Sequence, residues 1–175
     1  MPIAAWVWLA SIAAFVLWLL WRRRPPGRAL TPGELAAARG VFGEAIAWDR
    51  VRIHARPFTP FQPRGMAVTP LGAVHLRRGD CLDDFAADWR SMAWLIHELT
   101  HVWQHQTGVP VILRGLWERT YRYGALDPAR PLRRYGIEQQ AAIVEDWFRC
   151  SQGQSPWRGS GAESDYRAVI PFLPG

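Results

Sequence analysis

The residues of this chain that are best suited to chemistry lie together at positions 97–101, which read His-Glu-Leu-Thr-His. On a helix, side chains at positions i and i+4 share one face, with Cβ atoms about 5–6 Å apart. His97 and His101 can therefore bind one Zn2+ ion through ring nitrogens. Glu98, one residue further round the helix, can reach a water in the open coordination position and act as its general base. The spacing predicts a hydrolytic zinc site.

A zinc site of this kind needs a third protein ligand from outside the motif. Thr107 stands where a metzincin would have a histidine, which excludes that class. His105 lies too far along the helix to reach the same ion and is expected at the surface. The best candidate is Glu138, 37 residues after the second motif histidine. Glu145, Asp146 or a site with no third protein ligand are the alternatives.

Hydrophobic periodicity predicts the helices that must position these residues. Apolar residues at spacings of three and four predict a central helix over residues 89–107, which carries the motif. The same pattern predicts a second long helix over residues 135–150, with Glu138 near its start. A capping box that begins at Thr31 predicts an earlier helix over residues 31–48.

The remaining patterns predict short strands. Residues 51–56 alternate between apolar and polar, and residues 66–69 and 73–76 flank a turn, which together indicate a small antiparallel sheet. The Gly- and Ser-rich residues 151–164 predict a loop, and residues 166–173 are expected to form an edge strand or an extended tail. The predicted fold class is α+β, with a short antiparallel sheet and a central HExxH helix.

The N-terminal segment has a different composition. Residues 3–21 carry no charge, and about 20 apolar residues span a bilayer as a helix. A buried core helix would show a polar stripe, and a signal peptide would have a basic start and a cleavage site; neither is present. We therefore predict a transmembrane anchor over residues 1–21 that contacts the lipid bilayer through residues 3–21.

Charge sets the expected topology and excludes one class of partner. Residues 22–28 form a basic Pro/Gly linker, and its arginines place the domain at 29–175 on the cytoplasmic side of a single-pass membrane protein. The net charge is +6, but four of the 21 basic residues lie in this linker, which leaves 17 arginines against 15 acidic residues. A nearly neutral domain argues against nucleic acid as a partner.

The stretch at residues 96–104, Ile-His-Glu-Leu-Thr-His-Val-Trp-Gln, resembles the H-E-L-T-H-V-x-Q core of the gluzincin-like domains of bacterial contractile injection systems, including Vgr-related proteins. The resemblance extends over about residues 51–149. It implies a zincin-like fold, zinc held by two histidines with Glu138, and peptide-bond cleavage with Glu98 as general base. It also implies that the strand at 73–76 pairs with an extended substrate peptide.

The chain departs from thermolysin-like enzymes at Ala142, where they carry an acidic residue that orients a zinc-bound histidine. Glu145 or Asp146 is expected to take that part. Tyrosine hydroxyls are candidate donors to the oxyanion that forms during hydrolysis. The candidates are Tyr121, Tyr123 and Tyr135.

Two functions follow from these patterns. The main hypothesis is a membrane-anchored, zinc-dependent metallopeptidase that acts on an unidentified peptide or protein. The alternative is a non-catalytic, metallopeptidase-like accessory or binding protein of a bacterial secretion or injection apparatus, whose components would be its partners. An open coordination position beside Glu98 would favour the first hypothesis.

Overall fold

Over residues 27–173 the chain forms five α-helices and four strands of two residues each. The structure is a computed structural model that describes these residues together with Trp6, Trp8 and Ile12. In chain order the elements are α1 (Pro32–Phe42), β1 (Ile53–His54), β2 (Val74–His75), α2 (Trp89–Gln106), α3 (Val111–Gly115), β3 (Gly124–Ala125), α4 (Ile137–Ser151), β4 (Gly159–Ser160) and α5 (Glu163–Val169).

The centre of the fold is the packing of α2 against α4, the two long helices that periodicity predicted. Their bounds lie within two residues of the predicted ones at each end. The apolar stripes of both helices are buried, and most of their residues belong to one core. The buried stripe residues are Met92, Ile96, Leu99 and Trp103 on α2, and Ile137, Ala141, Val144 and Phe148 on α4. Burial of this apolar surface stabilises the packing of the two helices, one of which carries the motif and the other Glu138.

Helix α1 begins at the predicted cap but ends earlier than predicted. The Thr31 hydroxyl accepts from the Glu34 N–H at 3.1 Å, and the Glu34 carboxylate accepts from the Thr31 N–H at 2.8 Å. Gly43, with φ of +53°, ends the helix by donating its N–H to the Arg39 carbonyl at 2.9 Å. Trp48–Arg50 forms a separate 3-10 turn, so the predicted extension of this helix to residue 48 is wrong.

The predicted antiparallel sheet is wrong in its central pairing. Strands β1 and β2 are parallel, with Ile53 opposite Val74 and His54 opposite His75. Single antiparallel bridges flank them, from Arg28 to Ile53 and from Val68 to His75. Residues 55–73 between the two strands are long enough for the crossover that a parallel pair requires. A second parallel pair, β3 with β4, was not predicted.

The prediction of an edge strand or an extended tail over residues 166–173 is also wrong, because helix α5 extends to Val169 and only the end of this region is irregular. Tyr166, Val169 and Ile170 are buried at spacings of three and four, which is the helical rather than the strand period. The Asp165 carboxylate accepts from the Ala162 N–H at 2.7 Å and caps the start of the helix.

The predicted fold class is wrong in its N-terminal transmembrane helix. Among the described residues, no helix is both long and apolar enough to cross a bilayer. The longest, α2, has 18 residues but carries Arg90 and the HExxH motif, so only one of its faces is apolar. This finding also corrects the predicted single-pass membrane localisation. The predicted span over residues 3–21 lies outside the described residues, apart from positions 6, 8 and 12.

Candidate metal centre

Helices α2 and α4 bring two imidazoles and one carboxylate to a single point. The Nε2 atoms of His97 and His101 each lie 3.3 Å from Oε2 of Glu138. All three ligand atoms lie within 4.8 Å of one another, and both histidines are buried. Two ligands that bind a tetrahedral zinc ion at 2.0–2.1 Å are about 3.3–3.4 Å apart. The three side chains therefore fit Zn2+.

Glu145 orients the first histidine of this cluster. Its Oε2 lies 3.1 Å from His97 Nδ1 and accepts that N–H, so Nε2 is the ring nitrogen that would bind a metal ion beside Glu138. Burial disfavours the charged imidazolium, but hydrogen bonds to Glu138 and Glu145 outweigh burial and raise the pKa of His97 to about 10. Partial burial disfavours the charged form of Glu138, yet its hydrogen bonds to His101 and His97 hold its pKa below the usual range. The cluster thus favours a positive charge among its carboxylates.

Gln104 orients the second histidine, and sequence reasoning assigned it no role. Its Oε1 accepts from His101 Nδ1–H at 2.8 Å, so His101 also directs Nε2 towards Glu138. The Gln104 amide nitrogen donates to the Ile137 carbonyl at 2.9 Å and to Gln140 Oε1 at 3.0 Å, which fixes the amide orientation. One signal was present, since Gln104 follows His101 by three positions on the same helix and belongs to the stretch that carries the resemblance.

The Glu98 carboxylate lies next to the three candidate ligands and faces the cleft. It is only 6% exposed, and its Oε2 accepts the Thr69 hydroxyl at 2.6 Å. Thr69 comes from the segment 66–70, which lies beside α2. Sequence reasoning missed Thr69 because the contact spans 29 positions and no local pattern marks it.

The cleft has two arms that meet at His97 and Glu98. One is a cavity of about 490 Å³, the apolar arm, and its apolar lining includes Phe58, Val68, Val111, Ile112, Leu116 and Ile137. The other is a cavity of about 570 Å³, the cationic arm, and its lining includes Arg90, Trp94, Arg149, Trp157 and Arg158. An extended chain lying across Glu98 would enter both arms.

Tyr121 is the candidate oxyanion donor that lies at the centre. Its ring stacks on His97 with centroids 5.8 Å apart, and it lines both arms. Burial, together with the nearby carboxylates of Glu138 and Glu98, raises the pKa of Tyr121 to about 12. The hydroxyl therefore keeps its proton at neutral pH and can donate a hydrogen bond.

The other predicted accessory residues lie elsewhere. The Tyr135 hydroxyl lies 3.4 Å from the Asp127 N–H, outside the lining of both arms. Tyr123 donates to Asp146 at 2.8 Å in the core. Asp146 also accepts the backbone N–H groups of residues 157 and 158, so it supports the wall of the cationic arm and not the metal cluster. His105 is exposed and stays outside the cluster.

The strand that borders the cleft differs from the one that the resemblance implied. Strand β2 lies between β1 and the bridge to Val68, so the strand at 73–76 is not an edge at His75. The segment 66–70 lies outside it and lines the cleft beside Glu98. An extended peptide would therefore meet the segment 66–70 first.

We expect Glu145→Gln to lower zinc affinity about 10–100-fold, the usual effect of removing a carboxylate that orients a metal-bound histidine. The amide can still contact His97 but does not favour the Nδ1–H form as a carboxylate does. Competition with a chromophoric zinc chelator measures the change. Glu163→Gln, an exposed carboxylate on α5, is the matched control. An unchanged affinity in Glu145→Gln would remove Glu145 from the metal centre.

Comparison with known proteins places this chain in a family. No protein-family model matches the chain. The type VI secretion system spike protein VgrG2b of Pseudomonas aeruginosa is 39% identical over 161 residues, which cover 85% of this chain; the chain spans only about 15% of that protein's length. The solved structure of the effector domain of Pseudomonas aeruginosa VgrG2b is similar at 30% identity with a TM-score of 0.69, covering 94% of this chain and 95% of that domain. The Vgr-related part of the resemblance is confirmed, and the chain belongs to the family of the VgrG2b effector domain.

Proposed function

We propose that this chain is a zinc-dependent peptidase that serves as an effector domain of a type VI secretion system. The observation that carries the proposal is that His97 and His101 both lie 3.3 Å from Glu138, beside the buried carboxylate of Glu98. A structural zinc site would have no need of a free carboxylate and an open cleft next to its ligands. The domain proposed to carry the activity is residues 29–175.

Each residue of the site has a separate part in the proposed hydrolysis. When bound, Zn2+ supplies a Lewis acid that polarises a carbonyl and lowers the pKa of water to about 7. Glu98 accepts the proton of the attacking water and returns it to the leaving nitrogen. The Thr69 hydroxyl holds one oxygen of Glu98 at 2.6 Å, so the other oxygen is positioned for this transfer. The protonated Tyr121 hydroxyl donates to the developing oxyanion.

A second function is favoured by the family relationship itself. The related proteins are described as a spike protein and an effector domain, which relate the chain to a secretion apparatus and name no reaction. This supports the alternative drawn from the sequence, a non-catalytic domain that binds components of such an apparatus, better than it supports peptidase activity. In that case the metal cluster would stabilise the packing of α2 on α4.

Exposure of the purified chain to a complex mixture of peptides separates the two functions. We expect new peptide termini in the presence of zinc, detected by mass spectrometry, and none after a chelator removes the metal. Addition of zinc to the chelated protein should restore cleavage. A zinc-loaded, folded protein that generates no new termini would favour the non-catalytic function.

A further inference from the structure

The cationic arm holds three guanidinium groups beside the candidate catalytic carboxylate. Arg149 has a carboxylate neighbour, Asp146, at 3.7 Å. Within residues 27–173, neither Arg90 nor Arg158 has a carboxylate oxygen within 4.0 Å. The two carboxylates that line this arm already have partners, because Glu145 bonds to His97 and Glu98 accepts from Thr69. Two guanidinium groups thus border the cleft without an ion-pair partner among residues 27–173.

The position of Arg158 is fixed by the surrounding fold. Its guanidinium lies 3.7 Å from the ring centroid of Trp157 and 5.2 Å from that of Tyr121. Below it, the N–H groups of both Trp157 and Arg158 donate to the buried carboxylate of Asp146 at 2.6 and 2.8 Å. An arginine held between aromatic rings loses little further freedom when it binds a ligand. The arm therefore has a preorganised cation.

Arg158 is also close to the reacting centre. The Tyr121 ring contacts both groups, with its centroid 5.8 Å from that of the His97 ring and 5.2 Å from the Arg158 guanidinium. These contacts put Arg158 within about three extended residues of the metal ligands. The opposite arm offers an apolar wall that includes Val111, Leu116 and Ile137.

We infer that the cationic arm binds a carboxylate of the substrate peptide, within about three residues of the cleaved bond, while the apolar arm takes an apolar side chain. The planar guanidinium fork matches a carboxylate in two parallel hydrogen bonds, which gives Arg158 the main part in this selection. The carboxylate belongs either to an Asp or Glu side chain or to the C-terminus of the peptide. The inference rests on the proposed function, because that function makes the cleft a peptide site.

Binding of matched peptides tests the inference without relying on hydrolysis. The probes are N-acetylated hexapeptides with a leucine near the middle. They are made in three forms, which carry a Glu side chain with an amidated C-terminus, a Gln with a free C-terminus, or a Gln with an amidated C-terminus. Each form is made with the variable residue on either side of the leucine. Titration calorimetry on the Glu98→Gln protein with added zinc measures the affinities. We expect one of the charged forms to bind about tenfold more tightly than the uncharged form.

Three variants locate the preference. Arg158→Gln should reduce the preference for a carboxylate to about twofold or less. Arg158→Lys keeps the charge without the fork and should give an intermediate preference. Arg39→Gln, an exposed arginine on α1, should leave the preference unchanged. Circular dichroism confirms that each variant is folded.

The two charged peptides identify the source of the carboxylate, because only one of them is expected to gain affinity. Equal binding of all forms, including failure of all to bind at millimolar concentration, would overturn the inference. A preference that persists in Arg158→Gln would overturn it as well. Preferential binding of a carboxylate peptide by a wild-type protein that cleaves no peptide would support carboxylate recognition in the cationic arm and contradict the proposed peptidase function.

Discussion

Replacement of Glu98 by Gln is expected to lower peptide hydrolysis about a thousand-fold while zinc stays bound. The amide has the shape of the carboxylate but cannot accept a proton from water at neutral pH. The amide oxygen can still accept the hydrogen bond from the Thr69 hydroxyl, which lies 2.6 Å from the wild-type carboxylate, so the local structure should persist. The rate of appearance of new peptide termini and the zinc content of the purified protein measure the two effects.

The matched control for this variant is Glu44→Gln, because Glu44 is an exposed carboxylate that faces Arg39 and lies outside both arms. We expect wild-type hydrolysis and zinc content in the control. Retained hydrolysis in Glu98→Gln would exclude Glu98 as the general base. Loss of zinc in Glu98→Gln would instead mean that the carboxylate supports the metal cluster, and the loss of activity would then carry no information about proton transfer.

The sequence was sufficient for the parts of the site that depend on local periodicity. The motif residues share a face of α2 because the helical repeat places i and i+4 together, and this holds whatever surrounds the helix. Glu138 could be assigned to the first turn of α4 by the same reasoning. The meeting of the two helices at Glu138 needed the tertiary packing, which the apolar stripes indicate only in outline.

The choice between Glu145 and Asp146 could have been sharpened from helix geometry alone. At about 100° per residue, Glu145 lies about 20° from Glu138 round α4, whereas Asp146 lies about 80° away. The structure agrees with this difference, since Glu145 bonds to His97 and Asp146 bonds to Tyr123 and the backbone of residues 157 and 158. The helix face was therefore a usable signal.

The strand pairing and the cleft could not be predicted in the same way. The parallel pairing of β1 with β2 depends on the path of residues 55–73. Strands of two residues are too short to show an alternating pattern from which their pairing could be predicted. Thr69 and Arg158 reach the site across 29 and more positions of sequence, through loops whose conformation no repeat encodes. These long-range contacts decide which side chains line the two arms.

Removal of the Glu138 carboxylate should have the largest effect on metal binding. Zinc sites in small domains bind with about 10–16 kcal/mol shared among four ligands, so loss of one ligand should lower affinity by about two to three powers of ten. Glu138→Gln keeps the volume of the side chain and removes the charge that lies 3.3 Å from both imidazoles. Competition with a chromophoric zinc chelator, at a pH where the wild type binds fully, measures the change.

The ranking of three carboxylate variants distinguishes the ligand from its neighbours. We expect Glu138→Gln to lower zinc affinity more than Glu145→Gln does. Asp146→Asn should lower stability with little change in zinc affinity, because Asp146 contacts Tyr123, Arg149 and the backbone of residues 157 and 158 and lies outside the metal cluster. In a thermal melt, zinc at a thousand times its Kd should stabilise the wild type by about 4 kcal/mol, or about 10 °C for a domain of this size. That shift should be largely absent in Glu138→Gln.

A larger loss of affinity in Glu145→Gln than in Glu138→Gln would make Glu145 the ligand and leave Glu138 as its support, reversing the assignment that the 3.3 Å contacts favour.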